Sequence, residues 1–156
     1  MKRTLMTLVS VIGLSCCLLE HGKGSQESAQ EQTRREEKRL EGRWTFLRCT
    51  INGEEFPLAD DPTEIFFEAQ EMKIVLMGKV TSQGKFSINP LAKPKAIDIA
   101  NPAKEYQGKK GLGIYEFKSE ELWLAIARAG EKRPGDFSCK KGSGHQLMVL
   151  RRSSEK

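Results

Sequence analysis

At 156 residues the chain is long enough for one domain and a tail. Its 26 basic and 21 acidic residues leave a mild net charge of +5 with both signs mixed, so neither nucleic acid nor a strongly acidic partner is expected. A body of roughly 110 residues can bury a real core.

The first residues, MKRTLMTLVSVIGLSCCLLE, place Lys2 and Arg3 ahead of an apolar run from Leu5 to Leu19. This is the layout of a secretory signal peptide. The run is shorter than the roughly 20 residues that span a membrane. It ends in Leu14-Ser15-Cys16-Cys17 without an A-x-A site, which resembles a bacterial lipobox. In that motif a small residue precedes the cysteine that is lipidated and becomes the mature N-terminus. Cys16, preceded by Ser15, fits it; Cys17, with Leu14 three places earlier, is the alternative. The expectation is an exported chain, held by an N-terminal lipid to a bacterial cell envelope, with a signal peptide over residues 1–16 that ends in the lipobox-like motif. A simply secreted chain is the alternative.

Residues 17–39 are polar after Leu19 and cannot bury enough surface to fold alone, so they read as a tether. Its second half favours helix and offers a Glu31–Arg35 pair at i,i+4, which predicts at most a frayed helix. Residues 40–152 then form the domain, and 153–156 a short tail.

From Gly42 the pattern becomes short apolar alternations separated by Gly, Pro, Asn and Asp. Eight such segments run over 43–51, 63–69, 72–77, 84–88, 95–100, 112–117, 121–127 and 145–152. The fold class predicted is all-β: an eight-stranded up-and-down antiparallel barrel, because closure removes exposed sheet edges. Alternate connections lie at opposite ends of such a barrel. The set 52–62, 78–83, 101–111 and 128–144 is mostly long; the set 70–71, 89–94 and 118–120 is short. One end is therefore tight, and the long-loop end is where a binding function should sit.

The first strand opens Gly42-Arg43-Trp44, which looks like the G-x-W signature of lipocalins. That resemblance implies a tryptophan packed at the closed end against an arginine of the last strand, here Arg151 or Arg152. More broadly, LEGRWTF, KPKAIDI, GLGIYEF, RPGDF and GSGHQLMVLRR occur in the order found in a lipocalin-like bacterial domain family of unknown function, abundant in planctomycetes. The similarity covers about residues 38–152. It implies a fold and an exported setting but no reaction. Trp123 departs from that pattern, where a polar residue is usual.

Chemistry-bearing residues are sparse. The two histidines are His21, in the tether, and His145, at the start of the last strand. No G-x-S-x-G, H-E-x-x-H or phosphate-loop pattern occurs, and His and Cys are too scattered for a metal set. The expectation is a protein without catalytic residues, metal or cofactor. Asp98 alternates with Ile97 and Ile99 and should face water, with its neighbouring lysines solvated. Glu116 either points inward with Ile114, with a raised pKa, or sits at the surface. Trp123 is expected outside the barrel, covered by a neighbouring segment or marking a contact surface. Lys104, Lys109, Lys110, Arg128, Lys132 and Arg133 form a basic arc at the long-loop end, opposed by acids of the 52–62 loop. Cys49 and Cys139 come near that same end once the first and last strands pair, so they are either a disulfide or two free thiols. The function expected is binding of a small apolar or amphiphilic ligand in the barrel. The alternative is a filled barrel acting as an envelope interaction module.

Overall fold

The computed structural model describes residues 21–58, 63–101 and 108–153. The stretch expected to be a signal peptide, both lipidation candidates Cys16 and Cys17, and Lys104 lie outside them.

One helix, α1 (His21–Leu40), precedes β1 (Gly42–Ile51), β2 (Glu54–Glu55), β3 (Glu64–Glu68), β4 (Glu71–Leu76), β5 (Lys79–Asn89), β6 (Ala96–Ala100), β7 (Lys110–Lys118), β8 (Glu121–Ala127) and β9 (His145–Arg152). Each long strand pairs with its neighbour in sequence, and β1 pairs with β9 from Trp44↔Arg152 to Ile51↔Gln146. The result is a closed eight-stranded antiparallel barrel, with β2 a short flap on β1.

The alternation of the strands decides what is inside. Ile65 and Phe67, Ile97 and Ile99, Tyr115 and Phe117, and Leu122 and Leu124 all enter one core. Asp98, between its two isoleucines, faces outward, as the period-2 pattern requires. Phe67 and Phe86 meet edge to face at 5.2 Å in the lower barrel, an arrangement aromatic pairs favour.

Turn chemistry makes one end tight. Ala69 and Gln70 both have positive φ (47° and 65°), the conformation of a two-residue hairpin whose twist matches its strands. Met77 and Gly78 repeat it at the other end (φ 50° and 73°), so the expected 78–83 link shrinks and β5 begins at Lys79. Asn52-Gly53 forms a third such turn, which creates β2. Asn-Gly is the strongest short-range hairpin signal in a sequence, but the two-residue flap is too short to show as an alternation.

The helix expected in the second half of the tether is present as α1, 20 residues long, and its last turns close the tight end. Leu40 is completely buried in the barrel core, and its carbonyl accepts the Trp44 indole N–H at 2.8 Å. Glu36, only 7% exposed, accepts hydrogen bonds from Lys95 Nζ at 2.8 Å and from the Tyr115 hydroxyl at 3.2 Å. Lys95 is thus an ion-pair partner of α1, not a solvated lysine. Composition judges a segment alone, so it could not show that these last turns fold against a surface that the barrel supplies.

Outside the barrel a second cluster forms where Ile114, Ala125 and Leu147 pack with Trp123, Phe137 and Cys139. Ile114 therefore points outward. So does Glu116, which is exposed and paired with Lys118 at 3.4 Å. The inward alternative for Glu116 fails because Tyr115 and Phe117 take the inward parity of β7.

Candidate functional site

The two ends of the barrel differ in what fills them. At the closed end Arg152 lies 4.4 Å over the Trp44 ring and donates to the carbonyls of Glu41 (2.7 Å) and Arg39 (2.6 Å). It thereby satisfies carbonyls that the C-terminus of α1 leaves without helical partners. Gly42 makes room: its φ is +117°, and a Cβ there would lie 2.7 Å from the Arg152 guanidinium. Of the two candidate arginines, Arg152 does this work, while Arg151 is exposed one place earlier and opposite Thr45.

Glu36 carries the electrostatics of this end. Burial pushes its carboxyl up, but the Lys95 hydrogen bond and charge, with Arg39 and Tyr115, outweigh burial and hold it below the ordinary value. The Tyr115 phenol is pushed well up, by burial first and then by the Glu36 charge, so it stays a donor.

At the long-loop end the barrel is not filled. A cavity of about 290 Å³ opens between the strand ends. Met72, Ile74, Ile99, Ile126 and Met148 supply an apolar wall, and Gly111 of β7 contributes no side chain to it. A Cβ on Gly111 would come within 3.3 Å of Ile126. Ser82, Asn101 and Gln146 add hydrogen-bonding groups, and Asn52, Lys109, Arg128 and His145 border the opening. The cavity thus combines apolar depth, neutral polar groups midway, and cations at the mouth.

The basic arc divides on inspection. Lys109 and Arg128 border the cavity; Lys110 and Lys132 are exposed beside it. Arg133 is removed from the mouth. It folds onto the outer face, paired with Asp98 at 2.6 Å and donating to the carbonyls of Ile97 and Gly113. This fastens the 128–144 loop along β6 and β7 and brings Phe137 edge-on to Trp123, with ring centroids 6.2 Å apart. Lys118 covers the same indole at 3.9 Å, so Trp123 is outside the barrel but not free.

The disulfide alternative is overturned: Cys49 and Cys139 are both free. Cys49 is buried in the barrel core, where burial raises its thiol and Gln146 Nε2 lies 3.5 Å away. Cys139 packs in the outer cluster and donates to the carbonyls of Thr50 (3.4 Å) and His145 (3.1 Å). Strand pairing brought both to one end, but the sheet wall stands between the two sulfurs.

Sequence reasoning missed the interior polar residues. Their signal was parity: Asn101 lies two places beyond inward Ile99, and Gln146 two before inward Met148. It also missed Glu36, which carries no local signal because its partners are 59 and 79 residues away.

Comparison with protein-family models, with curated proteins and with solved structures gave no match.

Proposed function

We propose that this protein binds a small amphiphilic molecule, apolar end first, in the long-loop end of the barrel. The reading includes export and an N-terminal lipid at Cys16 or Cys17, which would hold the protein to a bacterial envelope. The cavity carries the proposal. Its 290 Å³ lies at the lower bound of ordinary ligand pockets, so one short chain or one small ring system fits and a long lipid does not. The cations Lys109 and Arg128 favour an anionic head group. A wholly filled barrel, the interaction-module alternative, would need side chains where Gly111 and the strand ends leave space.

Calorimetric titration of the full chain with decanoate tests this. Saturable single-site binding is expected. Ile74→Trp, which fills the cavity, should weaken it at least about tenfold while the far-UV spectrum stays unchanged. If neither decanoate nor 1-anilinonaphthalene-8-sulfonate binds saturably to the unaltered chain, the reading is wrong.

A further inference from the structure

We infer that the long-loop end of the barrel docks on an anionic lipid surface, with the Met77–Gly78 hairpin entering first. Two of the most exposed large hydrophobic side chains, Met77 (65%) and Val80 (54%), stand together at the hairpin tip, and Ile51 (42%) ends β1 at the cavity. The tip is rigid: positive φ at both Met77 and Gly78 closes it in two residues, so presenting Met77 requires no ordering on contact.

Charge specifies the partner. Lys79 follows the tip directly, and Lys109 and Lys110 stand at the start of β7, beyond β6 on the same side of the barrel. Arg128 and Lys132 continue the arc at the start of the 128–144 loop, against Glu131. Across the mouth the flap carries Glu54, paired with Lys141 at 3.6 Å, and Glu55, so positive charge does not dominate there. A surface of negative charge therefore meets the barrel tilted, with hairpin and basic arc down and the β2 flap lifted. The exposed side chains stand as separate apolar points among lysines. That suits a fluid interface, where each buries its own methyl groups beside a lipid head group. A protein partner would instead ask for one continuous patch or a pocket for an anchoring side chain. The docked pose sets the cavity, with Lys109 and Arg128 at its edge, against the layer in which an anionic amphiphile resides.

This goes beyond the binding reading and can fail separately from it. The test uses the full chain carrying Val80→Trp, mixed with vesicles of brominated phosphatidylglycerol or brominated phosphatidylcholine. Signal from Trp44 and Trp123 is removed by subtracting the unaltered chain. Quenching of the introduced indole by the anionic lipid alone, weakened about tenfold in vesicle concentration by Met77→Ser with Lys110→Glu, is expected. Raised salt should weaken it too, because the arc is solvent-exposed. No quenching on anionic vesicles that carry the protein down on pelleting overturns the proposal, since the N-terminal apolar run then accounts for the binding. Equal quenching by both lipids, or quenching indifferent to Met77→Ser with Lys110→Glu, also overturns it. Decanoate titration of the same variants reads the cavity independently. Binding from solution without quenching leaves the ligand reading standing alone, and quenching without decanoate binding leaves docking standing alone.

Discussion

The closed and open ends of this barrel are built from the same eight strands, yet they put opposite demands on their side chains. At the closed end polar groups are matched. The Trp44 indole, the Glu36 carboxylate and the Arg152 guanidinium each meet named partners, and Leu40 plugs the centre. At the open end aliphatic and polar residues and Gly111 stand in place of aromatics, and space is left over. The contrast teaches where stability is kept in a small barrel. An end sealed by packing and hydrogen bonds allows the other to stay partly hollow, because binding sites and cavities cost stability that must come from elsewhere.

The largest effect that would sharpen this contrast is expected from Trp44→Ala. It removes a buried indole, its hydrogen bond to Leu40 and the surface on which Arg152 stacks. Urea unfolding should show a loss of about 3–5 kcal/mol. A loss under about 1 kcal/mol would mean that α1 does not seal the barrel.

Glu36→Gln comes next, with an expected cost of about 1–3 kcal/mol at neutral pH, because Lys95 loses its buried counter-charge. The pH dependence has a definite sign. The folded carboxyl titrates below its ordinary value of 4.5, so its contribution is fully present above that value and is lost as pH falls through the folded value. The unaltered chain should therefore lose stability on acidification below about pH 4.5, and Glu36→Gln should flatten that fall. Parallel curves for the two proteins would count against the Glu36–Lys95 assignment.

The smallest stability effect belongs to the open end. Arg128→Ala should move the unfolding midpoint by no more than about 0.5 kcal/mol. It should nevertheless weaken decanoate by roughly fivefold, or about 1 kcal/mol. A large stability loss with unchanged decanoate affinity would reverse the roles given to the two ends.

Legibility in the sequence followed the range of the interactions concerned. Ile97-Asp98-Ile99 shows its facing by alternation alone, because a strand has period 2 whatever surrounds it. The closed-end arginine was narrowed to Arg151 or Arg152, and one step of parity chose Arg152. Alternation counted from Trp44 would put Cys49 outside; the bulge between Phe46 and Arg48 turns it inward, and the 128–144 loop carries Cys139 to the outer wall. Arg133 is the residue that fastens it there, and nothing near Arg133 in the sequence names Asp98 as its partner. Glu116 and Ile114 were ambiguous because β7 is apolar on both faces, and only the outer cluster explains why.

The amino-acid sequence by itself determined the strands, their up-and-down order and which end carries the long loops. These rest on alternation, turn residues and chain length, all local quantities. The tertiary structure alone decided that residues 33–40 belong to the barrel, that the two cysteines stay apart, and that a cavity remains beneath the long loops. Those outcomes depend on which distant surfaces meet and on how much volume their side chains leave, and neither is written in any one stretch of the chain.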